Sequence, residues 1–219
     1  MCIRDSFDEA QTLYARALET RRRVLGETHP RTLDSHNGMG AFYFRMGDMA
    51  SAQASFEAAL AGYELVETPE EVTLTALSNL GSIYMSTGKL AEAEEAYRDA
   101  HRRLLVSVGD LNAQTWEVLY NLGMVMQLQG RSDEALECMT QAHAKLTEIL
   151  GGDHAATLTC ENGLGSLLYD LDRLEDAFEV LDHTLVTRRR VLGNSHADTI
   201  ASIASVGAVQ RDLGWLEEA

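Results

Sequence analysis

Apolar residues recur at intervals of three and four along almost the whole chain, as in Leu77, Leu80, Ile83 and Tyr84, or Tyr97, Ala100, Leu104 and Leu105. That period lines one face of an α-helix, so the pattern predicts an all-α chain. One helix is predicted from Thr73 to Ser86, closed where Gly88 can turn left-handed, and a second from Leu90 to Val106. The two prolines, Pro30 and Pro69, fall in junctions where helices should begin.

The pattern repeats. Leu77 to Tyr84 aligns with Leu119 to Met126, which sets Gly81 over Gly123, 42 residues on. The step continues to Gly165 and Gly207, and back to Gly40 with one residue fewer near Thr68 to Glu71. A second phase runs through Gly47, Gly88, Gly130, Asp172 and Gly214, and a third through Gly26, Gly109, Gly151 and Gly193. Each repeat is therefore an antiparallel pair of helices that buries its apolar stripe only by stacking on neighbours. Gly81, Gly123 and Gly165 lie mid-helix, where glycine costs about 1 kcal/mol relative to alanine, so close packing must offset them. We expect Ala93, Ala135 and Ala177 to face those glycines, with Phe56, Tyr97, Met139 and Leu181 filling the space between pairs.

These residues resemble the tetratricopeptide repeat, in the 42-residue form found in kinesin light chains. The matching stretches include Asn79-Leu80-Gly81-Ser82-Ile83-Tyr84, Gly88-Lys89-Leu90-Ala91-Glu92-Ala93-Glu94, Ala17-Leu18-Glu19-Thr20-Arg21 and Val24-Leu25-Gly26-Glu27-Thr28-His29-Pro30. The resemblance implies a right-handed superhelix of helix pairs: a half repeat at 7–32, full repeats at 33–73, 74–115, 116–157 and 158–199, and a partial repeat at 200–219. Met1 to Ser6 reads as a non-native leader, and both edges fall mid-repeat, as in a piece of a longer protein.

Charge narrows the partner. With 18 Lys+Arg against 34 Asp+Glu the net charge is −16, which disfavours nucleic acid and anionic membranes. No stretch of about twenty apolar residues could span a bilayer. Three cysteines at no metal-ligand spacing, with no apolar leader, suit the reducing cytoplasm.

Catalytic motifs are missing. Thr87-Gly88-Lys89 lacks both the first glycine and the following Ser or Thr of a phosphate loop and reads as an interhelical turn. No nucleophile elbow or His-Glu-x-x-His helix occurs, so no enzyme activity, cofactor or metal is expected. His29, His154 and His196 share one repeat phase, too far apart for a common metal, and are expected to pack in the loops before helices. Arg21 to Arg23, Arg102 to Arg103 and Arg188 to Arg190 are assigned to the last turns of second helices, where cations complement the helix dipole.

The remaining candidates lie on the first helices, whose exposed side lines the concave channel in the resembled family. They are Asn37, with Ala41 and Phe44; Ser78, Asn79 and Ser82, with Met85; Tyr120, Asn121, Met124 and Gln127; and Asn162, Ser166 and Tyr169. A carboxamide presents a donor beside an acceptor and can hold both groups of a peptide unit. By resemblance, Asn79 and Asn121 contact peptide; an Asn at this spacing also suits a bridge between adjacent repeats, and both readings stand. Only Arg45 and Arg211 match the basic residues that dock acidic peptides, while Glu117, Asp170 and Asp212 lie nearby. The reading is a non-catalytic scaffold for a neutral or basic extended peptide or partner helix, with end-to-end self-association of its uncapped edges. The alternative is a sensor or oligomerisation tail of a larger nucleotide-dependent signalling protein.

Overall fold

The computed structural model describes residues 3–66 and 70–215, with side chains from 9 to 66 and from 72 to 215. Pro69, Leu216 and Ala219 lie outside the described residues, as do Met1 and Cys2. Among the described residues every regular element is helical: α1 (Ile3–Leu25), α2 (Pro30–Met46), α3 (Met49–Leu65), α4 (Glu70–Ser86), α5 (Leu90–Ser107), α6 (Ala113–Leu128), α7 (Ser132–Leu150), α8 (Ala155–Asp170), α9 (Leu174–Leu192) and α10 (Ala197–Asp212). The predicted pair 73–86 and 90–106 appears as α4 and α5, with α4 starting three residues earlier. Helix α1 likewise starts at Ile3, ahead of the predicted Phe7, so its backbone includes part of the presumed leader.

Two compact units divide the chain, 1–107 and 108–219. In the first, α1 to α5 pack each on the next and α2 also touches α4. Its core joins Leu33, Ala59, Tyr63 and Ala76 in one cluster and Ala52, Phe56, Leu80 and Ile83 in another. In the second, α6 to α10 do the same, and α8 touches both α6 and α10. There Leu168, Ala177, Leu181 and Leu185 close on Val206 and Val209.

The mid-helix glycines are explained by large side chains of the paired helix rather than by the alanine series. A Cβ on Gly40, Gly81 or Gly165 would meet Phe56, Tyr97 or Leu181 at 2.6 to 2.9 Å. On Gly123 it would meet Met139 at 2.9 Å, and here alone an alanine of the series takes part, through the Ala135 carbonyl at 3.2 Å. The bulky residues therefore fill space within each pair.

Gly88 closes α4 as expected, at φ 75°, with the Lys89 amide donating to the Tyr84 carbonyl at 2.9 Å. Asp172 takes the same left-handed station after α8, at φ 57°, with the Arg173 amide donating to the Leu168 carbonyl at 3.0 Å. Aspartate tolerates this region better than most side chains, which is how the phase survives without glycine.

Candidate functional site

Helix starts account for the phased histidines. The Nδ1 atoms of His29, His154 and His196 accept from the amides of Arg31, Ala156 and Asp198, each at 3.2 Å. Asn112 takes the same role before α6, its Oδ1 accepting from the Gln114 amide at 2.9 Å. Such caps satisfy donors that a helix leaves unpaired, and here they require the imidazole proton to sit on Nε2. Thr87-Gly88-Lys89 forms the turn between α4 and α5. Lys89 Nζ donates to Gln53 Oε1 at 2.9 Å and lies 5.7 Å from the Tyr84 ring centre.

The arginine clusters divide. Arg22, Arg23, Arg189 and Arg190 do occupy last turns. Arg102 and Arg103 do not: α5 runs on to Ser107, and both pair with Asp99 one turn back, Arg103 at 3.3 Å. Arg21 and Arg188 are different again. Arg21 donates to Ser35 Oγ at 2.5 Å and to the Arg31 carbonyl at 3.2 Å. Arg188, buried between α8, α9 and α10, donates to Ser202 Oγ at 2.8 Å and to the carbonyls of Asp198 and Leu158, each at 3.2 Å. Burial pulls its pKa down, opposed by Asp198 and Glu161. Glu161, also buried, accepts from Thr184 Oγ1 at 3.0 Å and lies 2.7 Å from His183 Nδ1. Sequence reasoning missed this polar cluster, although Arg and Ser spaced fourteen apart recur at both places.

In the first unit, α2 and α4 carry the candidate positions. Asn37 is half-buried and its Oδ1 is enclosed without a partner among the described residues. Ser78 donates back to the Leu74 carbonyl at 2.8 Å, and Ser82 shares a 2.7 Å hydrogen bond with the Tyr97 hydroxyl. Asn79 is half-buried, and its carboxamide has no hydrogen-bond partner among the described residues.

In the second unit, α6 and α8 carry the rest. Tyr120 lies over Gly163, where a Cβ would approach its hydroxyl to 2.3 Å, and burial pushes that hydroxyl up to about 12. Asn121 and Met124 are half-buried, and the Asn121 carboxamide also has no partner among the described residues. Gln127 donates to Asp170 Oδ2 at 2.6 Å, and the Tyr169 hydroxyl donates to Asp212. These two bonds form successive rungs between α6, α8 and α10. Asp212 also accepts from Arg211 at 2.9 Å, and the two bonds together hold its carboxyl below the usual range. Ser166 donates to the Asn162 carbonyl at 3.0 Å. Asn162 Oδ1 accepts from Arg188 at 3.3 Å and from Ser202 at 3.4 Å, so it ties α8 to α9 and α10.

The two described cysteines are both at least half-buried. Cys160 donates to the Met139 carbonyl at 3.6 Å, and burial pushes its thiol up to about 12, far from the thiolate that reacts. Cys138 is half-buried and its thiol sits 3.8 Å from Met126 Sδ. No cluster of three His, Cys, Asp or Glu side chains among the described residues could hold a metal ion. No described helix is long and apolar enough to cross a membrane.

Paired helices at a 42-residue step, with large side chains seated on mid-helix glycines, define an all-α superhelical repeat protein. The family model for the tetratricopeptide repeat matches residues 1–65, 33–105, 72–147 and 114–185, and the chain belongs to that family. Among solved structures it is similar to BtubC (BKLC) from P. vanneervenii, at 18% identity and TM-score 0.79, over 95% of this chain and 84% of that one. It is also similar to nearly identical TPR-like repeats of a candidate kinesin light chain from Podospora anserina, at 20% identity and TM-score 0.71, over 85% and 89%. The apo form of RapI matches at 11% identity and TM-score 0.75, over 96% and 79%. At these identities the likeness is one of fold. No curated protein sequence matches the chain.

Proposed function

We propose that the protein is a non-catalytic interaction scaffold whose first helices bind an extended peptide or a partner helix. The observation that carries this reading is the state of two carboxamides, Asn79 on α4 and Asn121 on α6. Each is half-buried on an ordered helix, and neither has a hydrogen-bond partner among the described residues. Of the other candidates, Ser82 is engaged by Tyr97 and Asn162 by Arg188, while Asn37 Oδ1 is enclosed without a partner among the described residues. A partly desolvated amide gains when a ligand supplies a donor and an acceptor, which a peptide unit does. Met124 beside Asn121 offers an adaptable apolar contact.

Charge supports a neutral or basic ligand. Asp170 and Asp212 stand at the ends of α8 and α10, and Arg211 is already paired with Asp212. Screening short neutral, basic and acidic peptides on an array and measuring the best by calorimetry tests the reading. Micromolar affinity, about −8 kcal/mol, is expected for a neutral or basic sequence. Asn79→Ala and Asn121→Ala together weaken it at least about tenfold, or 1.4 kcal/mol. Unchanged affinity in that double variant removes the asparagines from the site.

A further inference from the structure

Within the second unit, α8 closes on Asp170 and α10 on Asp212, 42 residues apart at one repeat station. The same station holds Arg45 in α2, Ser86 in α4 and Leu128 in α6. Carbonyls at a helix C-terminus favour a cation and disfavour an anion, so Arg45 suits the station and the two aspartates oppose it. Residues set against a local rule are expected at functional positions.

The two carboxylates differ in what they meet. Asp212 accepts from Tyr169 and is ion-paired with Arg211 at 2.9 Å. Asp170 is exposed, its Oδ2 accepts from Gln127 at 2.6 Å, and neither oxygen meets a cation among the described residues. Nearby arginines do not supply one. Segments 127–134 and 170–176 hold six acids against two arginines. Arg131 pairs with Glu134 and Arg173 with Asp176, each at 2.6 Å and each with the first turn of the helix it precedes. Leu128, next to Gln127, is 57% exposed. A carboxylate held in place by Gln127, with exposed apolar surface one residue from that donor, suits a side chain with an aliphatic stem and a cationic head.

We propose that Asp170 is the charge-selecting residue of the peptide site in the second unit, receiving the cationic head of an arginine or lysine of the ligand. The inference rests on the reading that Asn121 holds peptide, and it adds the sign and the place of the ligand's charge. Asn121 lies six residues before Gln127 on α6, about 9 Å along the axis at about 1.5 Å per residue. About three residues of extended chain cover that distance, which sets the basic residue about three positions from the peptide unit at Asn121. Gln127 is a positioning residue, since it acts through Asp170.

The probe is a set of short peptides of Ser, Asn and Leu in which one arginine, or its uncharged isostere citrulline, is moved along the chain. Affinities are measured by fluorescence anisotropy at low and at physiological salt. On the wild-type chain the arginine form should bind about three to five times tighter than the citrulline form at its best position, the scale of an exposed ion pair, and salt should shrink that ratio. Asp170→Asn, whose amide oxygen still accepts from Gln127, should bring the ratio to about one, with a circular dichroism spectrum like that of wild type showing that it is folded. Asp172→Asn removes an acid of the same turn, at a left-handed position that asparagine tolerates, and should keep the ratio. Equal binding of both forms by wild type, a ratio that survives Asp170→Asn, or an equal loss in Asp172→Asn overturns the inference; the peptide reading then stands if Asn121→Ala still weakens the citrulline form. Binding of no peptide in the set, or binding indifferent to Asn121→Ala, overturns that reading and this inference with it.

Discussion

Glycine at the middle of a first helix illustrates how one residue type serves opposite energetics at equivalent stations. Alanine is the better helix former by about 1 kcal/mol, so every such glycine is a local loss unless space demands it. At Gly81 space does demand it, because an added Cβ would stand 2.9 Å from the Tyr97 ring. Forcing a methyl into a packed core costs about 1 to 3 kcal/mol, which exceeds the helix gain. Gly207 has no such neighbour among the described residues. Gly81→Ala is therefore expected to lower the urea midpoint and Gly207→Ala to raise it. Shifts of the same sign in both variants would show that the Tyr97 contact does not govern the glycine phase. Asparagine divides in a similar way. Asn162 is spent on a bridge, while Asn79 and Asn121 keep their carboxamides without partners among the described residues.

Between elements, a buried polar tie of the second unit is Arg188, which reaches α8 and α10 from α9. Its removal would leave Asn162 Oδ1, Ser202 Oγ and two backbone carbonyls without this donor in a closed space. Arg188→Ala is expected to destabilise by about 2 to 4 kcal/mol in chemical unfolding, the range for breaking a buried charged network. Arg190→Ala, which removes an exposed pair with Asp153, should leave the midpoint where it was. A loss below about 0.5 kcal/mol for Arg188→Ala, the scale of a surface change, would contradict the assignment.

Helix pairs, their step and Pro30 as the first residue of α2 were legible along the sequence because each depends on local spacing and turn chemistry. The placement of Arg188 was not legible, because three consecutive arginines look alike until the helix rotation that buries the first and exposes the others is known. The seat of Tyr120, read as a channel residue, was not legible for a related reason: its ring lies on Gly163 of another helix, and that contact spans 43 residues. The arginines of α5 misled because the helix end falls at Ser107, which moves Arg102 and Arg103 out of the last turn.

At the scale of the whole molecule, a chain of net charge −16 built from repeating helix pairs carries, in each of its two units, first-helix positions proposed to hold a peptide. That is the central claim, with Asn79 as the peptide-holding group of one unit and Asn121 as that of the other. Their side-chain amide signals are distinct reporters of that claim. Titrating the 15N-labelled chain with the tightest peptide from the array should shift the carboxamide resonances of Asn79 and Asn121 together with backbone signals of α4 and α6, while the Asn162 carboxamide stays in place. Unmoved Asn79 and Asn121 signals, with shifts confined to α5, α7 and α9, would contradict the account.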